Sequence, residues 1–436
     1  MTSESSSWPT LVVVGGGFAG LELVKGLEGA PYNVLLLDKQ NHHCFQPLLY
    51  QVATASLASD SIAHPFRRTV APMANVSFRM AEVECIDPEK KELQTSIGIV
   101  HYDLLVLAMG STTNFFGNSA MQRQAMQLKS ISQALDIRSD LLQEFEAALP
   151  LWNDNEKRKH LNFVIVGAGP TGVELAGALA EIKKTVVKRE YTELDSSLMR
   201  IILIDGLPRV LNSFTERSSK NAQRYLEKLG VEVWLDTTVT GGDAEGITLS
   251  DGRTVETNTV IWAAGVKGVT IPGLDAALNT KANRFEVDGM NALKGDPNIF
   301  VLGDCALMTS DTGYPKGHPQ VATVAIQQAE LLVRNLERKA KHEKMLPFTY
   351  HHKGSMAVIG RGKAVVDIGK YSFGGFFAWL LWMFVHVMQL VGFRNRIMVL
   401  ARWAWKFLSW KNTIRLIIRP YIRQKDLVQA DRIANV

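Results

Sequence analysis

Cysteine is scarce. Cys44, Cys85 and Cys305 are the three in 436 residues, and no two form a CxxC pair. That count and spacing exclude a disulfide framework and a cysteine-built metal site, and no other metal ligand set is read from the chain. Excess charge is scarce too: 48 Lys and Arg against 43 Asp and Glu leave +5, too little to argue for a nucleic-acid binder. No Lys or Arg precedes Lys25, and the apolar run Leu11–Val14 is short. A secretory signal starts basic and a mitochondrial presequence is rich in arginine, so the expectation is a cytosolic chain with neither. What is present is ordinary for a packed globular protein, with 46% hydrophobic and 21% charged residues. At about 150 residues per domain, this length allows two to four domains.

The charge is unevenly placed. From Val387 to Val436 there are ten Lys or Arg and two Asp, a net +8, so the preceding 386 residues carry −3. The basic character belongs to the tail.

Leu11–Val14 is a run of strand formers ending at Gly15, Gly17 and Gly20, with Phe18 and Ala19 between the last two and a helix-like Leu21–Val24 behind. Strand, glycine turn and helix in that order build a cradle for a pyrophosphate. The first glycine allows the tight turn, the second lets the backbone approach the phosphates, and the third lets helix and strand pack closely. The helix start then offers free N–H groups to the anion. A second strand, Val34–Leu37, ends at Asp38 and Lys39; Asp38 stands eighteen residues past Gly20, where a carboxylate can accept hydrogen bonds from a ribose.

The device recurs. Asn162–Val166 leads into Gly167, Gly169, Pro170, Thr171 and Gly172, then Glu174, and the strand Ile201–Ile204 ends at Asp205. This acid lies 33 residues past Gly172, against a usual spacing of about 20, and the charged stretch Lys183–Arg200 reads as the insertion responsible, a solvated helix extension. An acid here favours a free 2′-hydroxyl, hence NADH over NADPH. Tyr102–Gly110, containing Ala108, and Thr259–Gly265, containing Ala264, each read as the strand that returns to its cofactor sheet. Ile299–Leu302 ends at Gly303 and Asp304, an acid placed to hold a flavin's ribityl hydroxyls, where chain returning from the second fold should complete the first. Alone, such a Gly-Asp pair is a turn.

Together these residues resemble the two-dinucleotide-binding-domain (glutathione-reductase-like) flavoproteins, and within them the type II NADH:quinone oxidoreductases. The pieces that carry the resemblance are Asn41–Thr54 (NHHCFQPLLYQVAT), Gly167–Gly177, Val301–Asp304, Ala325–Gln328, Lys353–Arg361 (KGSMAVIGR), Ala378–Trp382 and Gly392–Arg396. The resemblance implies that the first loop and Asp38 bind non-covalent FAD, with Val83 at the adenine, Gln46 to Tyr50 beside the isoalloxazine and Asp304 at the ribityl chain. It implies that the second loop and Asp205 bind NADH, that Glu174 acts where nicotinamide and flavin meet, and that Val321, Thr323, Val324, Gln327 and Lys353 border a quinone, Lys353 polarising it. Thr323 departs from the Gln that family members often carry, and a place near the flavin is the alternative for Gln327. Cys44 departs from an aliphatic residue. Plainer readings stand beside these: Glu174 as a glutamate suiting a positive helix end, His42 and His43 as loop or core histidines, Lys353 as a solvated charge, and the cysteines as small hydrophobes.

The tail adds a membrane device. Tyr371–Phe393 is free of formal charge and carries Phe373, Phe376, Phe377, Trp379, Trp382 and Phe384. Glycines, His386 and Gln389 interrupt it, and a basic aromatic segment follows: Arg394, Arg396, Arg402, Trp403, Trp405, Lys406 and Trp410. Lys411, Arg415 and Arg419 then recur every four residues, on one side of a helix expected to end at Pro420. Tryptophan beside Lys and Arg suits a helix lying in the interface plane of an anionic membrane, against the alternatives of a spanning helix or a buried one.

The reading is therefore an α/β chain with FAD-binding segments 9–130 and 269–348, an NADH-binding domain 155–268 and a C-terminal quinone-side, membrane-anchoring region 349–436. Its expected activity is non-proton-pumping NADH:quinone oxidoreduction at the cytoplasmic face of a bacterial inner membrane, held to anionic lipid through residues 371–424, with no nucleic-acid partner. A homodimer sharing the membrane face is compatible with it. The alternatives are a sulfide:quinone oxidoreductase, which needs reactive cysteines, and a membrane-tethered flavoprotein that binds or senses.

Overall fold

The computed structural model describes residues 8–279, 283–409 and 415–423. In chain order its principal elements are β1 (Thr10–Val14), α1 (Phe18–Gly26), β2 (Asn33–Asp38), α2 (Leu49–Ala53), β3 (Val76–Met80), β4 (Leu104–Leu107), β5 (Met126–Gln127), α3 (Ile131–Ala148) and β6 (Asn162–Val166). There follow α4 (Pro170–Ile182), β7 (Arg200–Ile204), α5 (Glu216–Leu229), β8 (Val231–Trp234), β9 (Thr259–Trp262), β10 (Asp296–Val301) and α6 (Ala322–Ala340). The chain closes with β11 (Ser355–Gly360), β12 (Lys363–Ile368), β13 (Tyr371–Gly375), α7 (Phe376–Gln389) and α8 (Phe393–Ser409).

Two units result. The first takes the chain up to Cys44, Ala63–Thr112 and Val266–His352; the second takes Phe45–Ile62, Thr113–Gly265 and the chain from Lys353 on. In the first, a parallel sheet runs β10-β4-β1-β2-β3. One row of partners crosses it, Phe300, Val106, Val13, Leu36 and Phe78, all buried. Such unbroken apolar strands suit a parallel sheet covered on both faces. The pairing of Ile299–Val301 with Leu105–Leu107 is the return of late chain to an early sheet that the sequence suggested.

In the second unit a parallel sheet runs β5-β9-β6-β7-β8; its other four strands repeat the order of the first, but its outer strand β5 precedes β6 in the chain, whereas β10 comes last of its sheet. The segment Phe45–Ile62, read from sequence with the first dinucleotide fold, packs here instead. Leu48, Leu49, Tyr50, Val52 and Ala53 are all buried, and α2 lies against α3 and α4. An antiparallel sheet, β11-β12-β13, also belongs to this unit rather than to a separate C-terminal domain. It is fastened to α5 by Asp367, whose carboxylate accepts from the Thr215 amide at 2.8 Å and the Ser218 hydroxyl at 2.7 Å.

The tail differs from expectation in two ways. Residues 415–423 are not helical, and Arg415, Arg419 and Arg423 are paired inside the unit, with Glu190, Asp136 and the Asp140–Glu144 pair respectively. Asp136, Asp140 and Glu144, four residues apart on α3, present a row that an extended basic segment can follow; Arg415 and Arg423 are largely covered in these pairings, while Arg419 stays exposed. Trp410, Lys411 and residue 424 lie outside the described residues. Among the described residues no helix is long and apolar enough to cross a membrane. Instead α7 and α8 divide their aromatics: Trp382 and Trp403 are buried, while Phe377, Phe384, Phe393 and Trp405 are 78, 63, 77 and 58% exposed.

Candidate functional site

Both glycine loops are built alike. At Gly20 an added Cβ would lie 1.8 Å from the Gly15 carbonyl oxygen, and at Gly172 it would lie 1.8 Å from that of Gly167. Only glycine permits either crossing. Gly169 faces open space, a Cβ on Gly17 would reach only the Ala108 carbonyl oxygen at 4.0 Å, and no side chain caps the helix that each begins. An open cradle before uncapped N–H groups fits an anionic pyrophosphate in each unit. Asp38 accepts from the Gly16 and Gln40 amides, both at 2.7 Å; Asp205 accepts from the Ala168 and Leu207 amides, at 2.5 and 2.8 Å. The long insertion leaves Asp205 in the register of Asp38. Each carboxylate oxygen keeps lone-pair capacity for a ribose hydroxyl.

In the first unit Gly16 is pressed by Phe66, whose ring an added Cβ would strike at 2.2 Å. His43 also braces the loop, its Nδ1 lying 3.0 Å from the Gly16 carbonyl oxygen and its ring edge-on to Phe18. Burial holds this imidazole down to about 4, so it is neutral at physiological pH, as a core histidine should be. Gly110 stands at φ +70°, with Ala108 between it and the end of β4. Asp304 accepts from the Ser111 hydroxyl at 2.5 Å, and Gln320 donates to its backbone carbonyl. Gly303 donates to Gln328, and its Cα abuts Ala325 in the first turn of α6. Val83 is half-buried and Lys39 exposed. Val321 caps α6 without a side-chain bond and is exposed, with Val324 buried beneath. Thr323 meets the Tyr350 hydroxyl at 2.8 Å, and Gln327 is engaged at both ends of its amide by the His351 backbone. Cys44 and Cys305 are buried enough that their thiols rise to about 12 and about 11, which makes them inert.

In the second unit Gly167 is held against Ala264, and Gly265 against Phe116. Pro170 and Thr171 are exposed at the helix start. One turn on, Gly177 lets β11 come so near that a Cβ would sit 1.8 Å from the Ile359 carbonyl oxygen. That approach buries Glu174. The Val358 amide donates to its carboxylate at 3.4 Å, and the Trp382 indole N–H lies near enough to favour the anion without closing a hydrogen bond. Burial outweighs both and pushes the carboxyl up to about 8. Tyr50 is raised as well, by burial first and by Glu174 second.

Glu174 and Tyr50 face a partly open cleft with Trp379, Trp382, Trp403 and Phe407 among its walls. Gln51 fixes one wall: it donates to the Tyr50 hydroxyl and accepts from the Trp403 indole, both at 2.8 Å. Residues 352 positions apart thus meet, which no local sequence signal announces. Trp379 stacks on Phe407, and Arg361 lies over that ring at 4.3 Å. Gln46 receives Lys129 at 3.5 Å, and Lys353 is exposed. The cleft is flat-walled and aromatic, with a carboxyl that is mostly protonated near neutral pH. Such a space accepts a planar, weakly polar ring system.

The sequence profile of the pyridine nucleotide-disulphide oxidoreductases matches residues 9–329, and that of the NDH2 C-terminal domain matches residues 352–417. The chain is 37% identical to the type II NADH:quinone oxidoreductase NdhA of Mycobacterium tuberculosis over 412 residues, covering 92% of this chain and 87% of that protein. Its fold is like that of NDH2 from Plasmodium falciparum solved in complex with NADH, with a TM-score of 0.87 at 21% identity, covering 94% of this chain and 100% of that one. The sulfide:quinone oxidoreductase of Aquifex aeolicus is more distant, with a TM-score of 0.71 at 17% identity over 92% of this chain and 95% of that one. Two equivalent dinucleotide loops, a C-terminal region built onto the second and this extent of identity place the chain in the type II NADH:quinone oxidoreductases.

Proposed function

We propose that this enzyme uses non-covalent FAD in its first unit and NADH in its second, and reduces a membrane quinone without moving protons across the bilayer. The observation that carries the reading is the matched pair of loops, each an open glycine cradle closed by its own aspartate. The chemistry a flavin supplies when bound is acceptance of a hydride and delivery of its two electrons to a quinone. Gly15, Gly17, Gly20 and Asp38 hold its adenosine diphosphate half; Val83 lies by the adenine, Ala108 and Gly110 border the loop, and Asp304, oriented by Ser111, holds the ribityl chain. Gly167, Gly169, Gly172 and Asp205 hold NADH, and the carboxylate at Asp205 disfavours a 2′-phosphate. Glu174 keeps a neutral carboxyl in a dry wall, where it can donate a hydrogen bond or release a proton without a charge persisting. The quinone side comprises Val321, Thr323, Val324, Gln327 and Lys353.

The exposed aromatics of α7 and α8 support attachment to one leaflet, in the plane of the interface. A single such layer offers no series of polar helices for an ion path, which supports the non-pumping reading. The cytoplasmic face of a bacterial membrane and a homodimer sharing that face belong to the same proposal. Raised thiols at Cys44 and Cys305 argue against sulfide as donor, since sulfur transfer needs thiolates.

The test is an anaerobic titration of detergent-held protein, following flavin absorbance with NADH, NADPH and sulfide added separately and then a soluble quinone. Stoichiometric bleaching by NADH and recovery on quinone are expected. Bleaching by sulfide alone, or no bound flavin, would overturn the reading.

A further inference from the structure

The reaction NADH + H⁺ + quinone → NAD⁺ + quinol moves two electrons and one hydrogen from the nicotinamide and draws one further proton from water. Some group must bring that proton to the reduced ring. Around α6 the first unit holds a chain of hydroxyls suited to the task. Thr323, in the first turn of α6, has its Oγ1 2.8 Å from the Tyr350 hydroxyl. That hydroxyl lies 3.4 Å from His352 Nδ1. His352 lies at the surface, Tyr350 is buried at 6% exposed, and Thr323 is half-buried at the other end.

We propose that Thr323, Tyr350 and His352 form a proton relay from solvent to the quinone. His352 donates to the tyrosine oxygen, the tyrosine hydroxyl to the threonine oxygen, and the threonine hydroxyl outward to the quinone oxygen. Each oxygen gains one proton and passes one on, so no charge is stranded, and His352 recovers its proton from water. A threonine suits this place because a hydroxyl passes protons along a chain where an amide does not.

The relay is held from behind. The Tyr350 amide donates at 2.9 Å to Asp311, which also receives His318 Nε2 at 3.0 Å, and Gln327 pins the neighbouring His351 by both of its backbone groups. The titratable groups facing Tyr350 are Asp311, Tyr314, His318 and His352, with ring centroids 5.3, 5.9 and 6.1 Å away for the last three. His318 and Asp311 are buried and bonded to one another, which leaves His352 as the group that exchanges with water.

The inference rests on the quinone-reductase reading, and the assay separates the two. NADH oxidation is followed with a short-chain soluble quinone, which needs protons, and with ferricyanide, which takes electrons alone. Tyr350→Phe keeps the ring and removes the relay oxygen's proton; it is expected to slow quinone turnover by at least about tenfold and to change the ferricyanide rate by less than about twofold. Thr323→Val should reproduce the quinone defect and Thr323→Ser should rescue it. His352→Gln should slow quinone turnover while leaving the ferricyanide rate within about twofold. Equal loss with both acceptors would mark Tyr350 as a packing residue and overturn the relay, as would unimpaired quinone turnover in Tyr350→Phe. Wild-type protein that NADH reduces and quinone fails to reoxidise would overturn the underlying reading, and the relay with it.

Discussion

Glu22 and Glu174 stand at the same place in two copies of one device, two residues beyond the third glycine of the loop. Glu22 is 39% exposed at its side chain and lies 3.9 Å from Lys25, an ordinary pair along a helix. Glu174 is buried and pushed up to about 8. The loops do not make this difference, because they are nearly superimposable in their bonds. What covers the helix does. On α1 the close neighbour is α6, admitted by Gly26, whose added Cβ would meet Val333 at 2.5 Å. On α4 it is the antiparallel sheet, admitted by Gly177. A glycine one turn along the helix therefore decides which neighbour arrives, and the neighbour decides whether a glutamate is a surface charge or a buried acid.

The comparison can be broken most severely at the glycines common to both copies. Gly20→Ala and Gly172→Ala each force a Cβ into a backbone oxygen, and each should cost beyond about 5 kcal/mol, measured as loss of soluble, cofactor-competent protein. Glu174→Gln comes next. Its folded value of about 8 lies above the ordinary 4.5, so the stability its protonation confers is complete below about 4.5 and is lost as pH rises through 8. The amide cannot ionise, so the variant should gain on wild type between pH 5 and 9, by at most about 5 kcal/mol in denaturant titrations. Glu22→Gln should show no such divergence. The loop centres then separate the copies: Gly16→Ala must displace the Phe66 ring, at about 1–3 kcal/mol, whereas Ala168→Gly in the second loop should cost only about 0.5–1. Smallest is Arg419→Ala. It removes an exposed pair with Asp136 and should change the melting free energy by no more than about 1 kcal/mol.

Much of this was legible in the chain because the signals are local. Gly15, Gly17 and Gly20 each answer a contact within a few residues or across one strand pair, and Asp38 and Asp205 close their loops from the adjacent strand. Even the long insertion before Asp205 did not hide the second copy, since a strand end fixes register whatever the loop that precedes it. The fold class followed from the same repeats. The walls of the cleft were not legible. Gln51 and Trp403 meet through packing of helices far apart in sequence, and Phe45–Ile62 joins the second unit because its apolar face is buried there, a choice that composition does not encode. The tail misled for an electrostatic reason. Arg415 and Arg419 at helical spacing look like a lipid-facing stripe, until Glu190 takes the first and acids of α3 take Arg419 and Arg423 along an extended chain.

The sheet order of the first unit has a consequence for how the protein is made. β4 is the edge to which β10 must add, yet about 190 residues are translated between them. At roughly 5–20 residues per second the ribosome holds that edge unfinished for some 10–40 s. Throughout that interval Leu104–Leu107 offers an apolar strand with open backbone groups to any passing chain. The second unit's core sheet, from β5 to β9, is all translated within the wait. The newborn chain thus passes through a state with one finished nucleotide fold and one waiting, and in that window a chaperone, or a second nascent chain, competes for the place that β10 will take.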